Sequence, residues 1–463
     1  GLPYYDLAVS RLRYFGGSSN HWENWCGQFT DIDFEERSWV PHSGWPIGTA
    51  DMEPYYQRAR PLCGLGPARP VEALWDRLGV APLSLDTELL VHRFWEFAGP
   101  TRFGSLYRNR IAEARGVTAL LHANAVNIQA DPEARRVERV DLRTLDGKTA
   151  EVHARRFVLA CGAVENARLL LASNTVEPHG LGNRHDLVGR YFHEHTMDQI
   201  ATVVTDNPHA LIERYGPTWV GRLGYTAGLV LADPVQESER TLNCSVMIGY
   251  AAPDDAVKTM RRLMSELRAG RMPEEMGLQI WQVVEDLDML AYNAYRRRLL
   301  GRPLLPKPEN LERLYFMTHS EQAPNPDSRV VLTDERDPLG MPRAALDWRL
   351  TALDKHTARR LASALGAELA RLGAGIVQVE PWLEEPSDDW SDRLNGGFHH
   401  MGTTRMAADP RRGVVDADCR VHGLANLYVA GSSVFPTGGN INPTLTIVAL
   451  VIRLAEHLKR AAA

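Results

Sequence analysis

Two adjacent histidines, His399 and His400, lie between a Gly-Gly pair and a Gly-Thr-Thr turn in "GGFHHMGTTRM", residues 396–406. A loop of that kind offers imidazoles to a ligand rather than to a core. Two other loops share its character: "GGSSNHW", residues 16–22, and "GGNINPT", residues 438–444. Each joins glycines, which let a backbone approach a ligand closely, to hydrogen-bonding side chains. An imidazole, with a reference pKa of ~6.5, can accept a hydroxyl proton at neutral pH. The Asn442 carboxamide can hold the same oxygen, so that the carbinol hydrogen points at a hydride acceptor. No side chain accepts hydride, and the acceptor must therefore be a cofactor. His399 and Asn442 read as the catalytic pair of an alcohol oxidation.

The elements that must carry these loops follow from periodicity. "FVLACGAVENARLLLASN" changes period within a few residues: a strand over 157–160, a turn at Cys161-Gly162, then a helix bearing Leu169, Leu170 and Leu171. Strand, Gly turn and helix form the unit of an α/β nucleotide-binding sheet. "NLYVAGSSVFP" predicts a second buried strand, ending in Gly-Ser-Ser. "NPTLTIVALVIRLAEHLKR" predicts a helix with Asn442 as its cap and Pro443 at its first position. Its apolar run from Leu445 to Ile452 buries it nearly all round, so its unpaired N-terminal N–H groups must meet something polar or anionic. Capping and catalysis are compatible roles for Asn442.

Upstream, residues 117–160 predict strands with a turn at Asp146-Gly147. Thr49 is a candidate cap for a short helix, with Asp51 and Glu53 in its first turn. In the middle of the chain, "AVKTMRRLMSELRAGRMPEEMGLQIWQVVEDLDMLAYNAYRRRLL" is helical and charged, and "SRVVLTDERDPLGMPRAALDWRL" alternates like strands. "TALDKHTARRLASALGAELARLG" is an amphipathic helix with Leu361, Leu365, Leu369 and Leu372 on one side. This pattern predicts an α+β substrate domain inserted into an α/β one. The length of 463 residues also favours two joined domains.

The totals narrow the class of partner. A net charge of −6 leaves no basic surplus for neutralising nucleic-acid phosphates, and no apolar run is long enough to cross a bilayer. Cys26, Cys63, Cys161, Cys244 and Cys419 are scattered without metal-ligand spacing, which reads as reduced thiols in a reducing compartment and as no metal site. His193 and His195 in "YFHEHT" have a tempting spacing, but no third ligand lies near in sequence, and both read as structural. Ser18 and Ser19 either cap the following turn or touch a ligand. Met401 and Met406 read as packing, and "RRRLLGR" as a solvated helix end.

At these residues the chain resembles the glucose–methanol–choline (GMC) flavin oxidoreductases. The likeness runs from about Arg11 to Leu458 and is weakest over roughly 75–110 and 253–305. "GGSSNHW" looks like the family's Gly-Gly-Ser-Ser signature, "WPIGTADMEPYY" like its Trp-Pro-Ile…Glu-Pro-Tyr-Tyr segment, and "ACGAVENARLLLAS" like a nucleotide-domain strand and helix. "EQAPNPDSRVVL" and the run "HHMGTTRM…GVVDADCRVHGLANLYVAGSSVFPTGGNINPTLT" are similar to its C-terminal region. The resemblance implies an FAD-binding Rossmann-like domain, α/β, over 1–30, 111–195 and 395–463. It implies a lid or connecting segment over 31–110 and an inserted α+β substrate-binding domain, an antiparallel sheet with helices, over 196–394. His399, three before the Gly of His-x-x-Gly-Thr, takes the place of the catalytic histidine, which leaves His400 a structural neighbour. Asn442 takes the place of the second catalytic residue. FAD contacts fall on Gly17, Ser18, Ser19, Asn20, His21, Trp22, Val126, Cys161, Gly162, Gly431, Ser432, Asn442, Pro443 and Thr444.

Within the family, "GGSSNHW" looks most like pyranose oxidases and bacterial sugar or glycoside oxidases. His21 matches the position that can be joined covalently to the flavin, and the unlinked state is the favoured expectation. The family's Gly-x-Gly-x-x-Gly loop and ribose-binding acid are missing from the sequence, which points to an absent natural N-terminus. The family's Asp-Ala-Ser is here Gly431-Ser432-Ser433. The expected activity is oxidation of an alcohol of a sugar, glycoside or sugar-like polyol to the carbonyl. Alternatives are an amino-sugar alcohol in a biosynthetic pathway, or a non-redox flavin lyase. Expected partners are the small-molecule substrate and oxygen or another electron acceptor, with no nucleic acid and no membrane, in the cytoplasm. Homo-oligomerisation is left open.

Overall fold

The computed structural model describes residues 1–99, 101–252, 256–268, 270, 272, 276–285, 287–385 and 389–461. Its main feature is a ten-stranded antiparallel sheet running Trp25–Cys26, Leu90–Ala98, Leu223–Leu231, Cys244–Ala251, Arg313–Ser320, Thr196–Met197, Asn395–Gly396. Thr218–Val220 adds beside Leu223–Leu231, and Gln199–Val204 with Ile376–Val379 extends from Arg313–Ser320. Leu223–Leu231 is buried along almost its whole length, as an inner strand covered on both faces must be. Its glycines make room for aromatic neighbours: a Cβ at Gly228 would stand 2.6 Å from the Trp95 ring.

The Ala352–Arg371 helix packs across this sheet. It starts at a capping box in which Thr351 N and Oγ1 both donate to Asp354 Oδ2 at 2.7 Å. Leu361, Leu365 and Leu369 are buried at the four-residue spacing of one helix face, and Leu372 is the C-cap. The central helical stretch forms as Ala256–Arg268, Met276–Glu285 and Leu287–Tyr295, while residues 269, 271, 273–275 and 286 of it lie outside the described residues.

A second layer begins with a parallel pair, Phe157–Leu159 beside Leu427–Val429. Each strand leads into a Gly-containing turn, Cys161-Gly162 and Gly431-Ser432, and the first continues as the Ala163–Ala172 helix. A three-stranded antiparallel sheet, Asn124–Ala130, Val137–Arg143 and Thr149–Val152, stands nearby, and its second turn passes through Gly147 at φ +87°. The Thr444–Arg460 helix lies along Thr49–Leu62, where Tyr56 Oη and Thr446 Oγ1 are 2.9 Å apart. Thr49 is not the cap of its helix but its first residue. The preceding Gly48 N–H is held by Asp51 Oδ2 at 2.9 Å.

The short strand Thr196–Met197 gathers three distant segments. Thr196 pairs with Ser320 on one side and with Gly396 on the other, and His193 bridges to Met401. Residues 195, 319 and 399 are thereby delivered to one place. All five cysteines are free, and no helix among the described residues is long and apolar enough to cross a membrane.

Candidate active site

His399 is held through its main chain before its side chain does anything. Its N–H donates to Glu194 Oε2 at 2.8 Å, and the buried Gly402 behind it has φ +86°. Gly402 N–H donates to Ser432 O at 3.1 Å, Thr404 N–H to Ser433 O at 2.8 Å, and Ser432 Oγ to His400 O at 2.7 Å. The histidine loop and the loop after Leu427–Val429 are thus stitched side by side. Asn166 extends the stitching, accepting from Cys161 N–H at 2.9 Å and donating to Ser433 Oγ at 3.0 Å.

On its side chain, His399 Nε2 lies 3.0 Å from Asn442 Nδ2, so the two residues singled out from opposite loops meet directly. One expectation does not hold: Asn442 does not cap the following helix. That helix is Thr444–Arg460, Pro443 stands at the N-cap, and no side chain caps it. An amide committed to an imidazole cannot also bend back to N–H groups behind it. The first N–H groups of the helix are left for another partner.

His195, read from the sequence as structural, touches the site. Its Nδ1 is 2.9 Å from His399 Nδ1, and its Nε2 is 3.1 and 2.9 Å from the carbonyls of Gly438 and Gly439. His319, which nothing in the sequence singled out, stacks on His195 with ring centroids 4.2 Å apart and planes 30° apart. His319 Nδ1 faces Asn440 O at 3.1 Å. The three rings bring nitrogens within 4.8 Å of one another, the spacing of a metal triad. Here, however, both nitrogens of His195, both of His399 and one of His319 are spent on hydrogen bonds, which describes a bonded chain of imidazoles rather than a set of free ligands. Burial holds the pKa of each well below the usual histidine range, and each charged neighbour would lower it further. All three are neutral at working pH.

His400 faces away from Asn442. Its Nε2 lies 2.9 Å from Tyr4 Oη and 3.5 Å from Glu194 Oε1, and burial pushes its pKa down to about 3. Tyr4 donates a short hydrogen bond to Glu194. Burial raises Glu194 to about 7, against the pull of the Tyr4, His399, His195 and Gly397 donors.

The remaining candidates form two further groups. Gly162 and Gly431 follow the carboxyl ends of the parallel pair with φ +83° and +108°, and a Cβ at either would meet nothing within 4 Å. Cys161 beside them is exposed. That open crevice outside the carboxyl ends of parallel strands is where α/β sheets bind ligands. Val126 is the residue that the strand register skips between Ala125 and Asn127. The 17–22 segment forms its own knot: Ser19 Oγ donates to Gly16 O at 2.5 Å, Asn20 Nδ2 to Phe15 O at 2.9 Å, and Trp22 Nε1 to Thr101 O at 2.6 Å. Ser18 Oγ accepts from Leu12 N–H at 3.2 Å, and His21 is exposed. None of these bonds reaches the histidine loop.

The chain has recognisable relatives. It is 25% identical over 496 aligned positions to 6'''-hydroxyparomomycin C oxidase of Streptomyces lividus, spanning 96% of this chain and 78% of that one. It is 26% identical over 488 positions to paromamine 6'-oxidase of Streptomyces fradiae, spanning 96% and 76%. Among solved structures, pyridoxine 4-oxidase from Mesorbium loti shares the fold with a TM-score of 0.56 and 15% identity, covering 97% of this chain and 84% of that one. Residues 324–450, which contain His399 and Asn442, match the GMC oxidoreductase family model. By that match and these relatives the chain is similar to the GMC oxidoreductases, and it is an FAD-dependent oxidoreductase acting on CH–OH groups.

Proposed function

We propose that this enzyme oxidises a secondary or primary alcohol of a sugar, glycoside or sugar-like polyol to the carbonyl, with His399 as base and Asn442 as hydroxyl anchor. The reading rests on one contact, His399 Nε2 to Asn442 Nδ2 at 3.0 Å, beside a helix start that no side chain caps. Both relatives above carry names of oxidases acting on aminoglycosides, which supports amino-sugar alcohols as a substrate group within this class. The net charge of −6 is compatible with such cationic substrates.

FAD suits the residues present. A long anionic dinucleotide needs open backbone at the ends of parallel strands, and Gly162 and Gly431 leave open space there. It needs a positive helix end, and the Thr444–Arg460 helix offers its N–H groups uncapped. We assign Cys161, Gly162, Gly431 and Ser432 to the ribityl and phosphate region, the skipped Val126 backbone to adenine, and Asn442, Pro443 and Thr444 to the ring. Residues 17–22 would also contact the ring, without a covalent link at His21. The same reading divides the chain into a flavin domain (1–30, 111–195, 395–463), a lid (31–110) and a substrate domain (196–394). The two larger hydrophobic cores bear on it: one joins 128–192 and 401–454 with Phe34–Leu65 of the lid and Val330, Met341 and Trp348, and the other joins 200–246, 305–316 and 358–383 with Leu74–Phe94 of the lid, so the lid packs into both.

When bound, FAD supplies the acceptor for the carbinol hydride. The chain's own part is proton and position. A substrate hydroxyl entering between His399 and Asn442 takes over the Nδ2 donor and presents its proton to Nε2. Burial lowers the proton affinity of His399, and Asn442 holds the hydroxyl oxygen in reach of Nε2 while the C–H bond breaks. In anaerobic mixing with a panel of sugars and aminoglycosides, at least one compound should bleach the flavin. His399→Ala should slow that bleaching ~10²–10⁴-fold without unfolding the protein. Parental bleaching by the variant would remove His399 from the role. A substrate that is turned over while the flavin stays oxidised would identify a lyase instead. Acid precipitation should leave the flavin in the supernatant.

A further inference from the structure

We propose that His195 is a positioning residue that locks His399 in the tautomer with its proton on Nδ1, leaving the Nε2 lone pair for the substrate. The proposal rests on His399 being the base. It follows from the polarity of one chain of hydrogen bonds, worked from its unambiguous end.

Carbonyl oxygens only accept. His195 Nε2, 3.1 and 2.9 Å from the carbonyls of Gly438 and Gly439, must therefore carry a hydrogen. His195 is fully buried and neutral, so its Nδ1 has a lone pair and no proton. His399 Nδ1, 2.9 Å away, must then be the donor. A neutral imidazole protonated at Nδ1 is bare at Nε2, and that is the atom facing the Asn442 amide hydrogens at 3.0 Å. Every bond in the row points the same way: Asn442 to His399, His399 to His195, His195 to the glycine carbonyls. The opposite tautomer of His195 would set a lone pair against two buried carbonyls and leave three acceptors without a proton. The stacked His319 ring, itself fixed to Asn440 O, keeps His195 in plane.

The row also has a dead end. His195 cannot pass a proton onward, because its far nitrogen already donates to carbonyls. A proton taken at His399 Nε2 must leave by the side it entered. His195 Nδ1 accepts from His399 Nδ1–H before and after that transfer, so the ring stays in place through turnover.

The experiment uses the flavin-loaded protein with ¹⁵N-labelled histidine, the His399 resonances being assigned by their loss in His399→Gln. In the parent, His399 should bear its proton at Nδ1; a proton at Nε2 would overturn the proposal without any variant. His195→Leu removes the acceptor and should expose the Nε2-protonated form, slowing flavin reduction at saturating substrate roughly 10–100-fold with little change in substrate affinity. His195→Asn places an amide oxygen near the former Nδ1 and should restore both the tautomer and most of the rate. A slow His195→Leu protein that keeps the Nδ1 proton would mean packing, not positioning, and would overturn the idea. So would an Asn variant that restores neither. If His399→Ala reduced flavin at the parental rate, the base assignment would fall while the tautomer measurement still stood, so the two failures separate.

Discussion

The Asn442 carboxamide donates to His399 Nε2 across 3.0 Å, although the Asn-Pro that begins "NPTLTIVAL" looks designed to cap a helix. The two roles predict opposite outcomes. Loss of a cap costs ~1 kcal/mol of stability and leaves chemistry alone. Here Asn442→Ala should leave the melting temperature nearly unchanged and slow flavin reduction ~10²-fold, the usual worth of a donor aimed at a reacting oxygen. Asn442→Asp should be slower still. Its carboxylate accepts only, and would pull a proton onto Nε2 and block the base. A destabilised Asn442→Ala protein with normal reduction rates would return the residue to capping.

Gly402 carries a second prediction. At φ +86°, a Cβ there would sit 2.1 Å from Tyr191 O and 2.5 Å from His193 Nδ1, so both strain and collision oppose any side chain. Gly402→Ala should cost at least ~1 kcal/mol and push the 399–406 loop away from Asn442. Thermal melting together with flavin reduction reads both effects. Intact stability and intact rate would show that the loop can yield without consequence.

The elements that hold this site were legible where their reasons are local. The switch from strand to helix around Cys161-Gly162, the four-residue leucine spacing of Ala352–Arg371 and the His399–Asn442 pair all follow from neighbours along the chain or from short sequence motifs. His195 and His319 could not be found that way. They join His399 only because Thr196 pairs with both Ser320 and Gly396, and such register is set by tertiary packing between strands remote in sequence. The "HEH" spacing points to His195, but its partner in the structure is an imidazole from another loop. The cap misassigned to Asn442 has a related cause: Asn-Pro satisfies a local rule, and a long-range contact outweighs it.

Glu194 gives a pH test. Burial lifts its pKa to about 7, above the ordinary carboxylate value, so the folded state prefers it protonated. The stability tied to this group is fully present in acid and is lost as pH rises through about 7. Glu194→Gln keeps an oxygen for the His399 N–H and removes the titration. Between pH 5 and 8 the variant should gain on the parent by up to roughly 3 kcal/mol, at about 1.4 kcal/mol for each pKa unit. Asp198 and Asp354, also raised by burial, to about 7 and about 6, titrate in both proteins and cancel in the difference. Parallel melting-versus-pH curves would show that Glu194 stays charged throughout.

Arg37 and Glu321 supply the last test, of what holds the histidine-bearing strand in place. The pair is bidentate, at 2.8 and 2.5 Å, with side chains 1% and 0% exposed, and Glu321 also accepts Asn243 N–H at 3.0 Å. Two charges withdrawn from water at that depth are stable only together. Arg37→Met strands the carboxylate and should cost ~3–5 kcal/mol, whereas Arg37→Met combined with Glu321→Leu should recover much of it, since apolar replacements often match a buried pair. Because Glu321 lies two residues past His319, the single variant should also speed amide exchange along Arg313–Ser320 before global unfolding. Equal losses in the single and double variants would mean that shape rather than charge is what this contact contributes, and unchanged exchange would uncouple it from the histidine row.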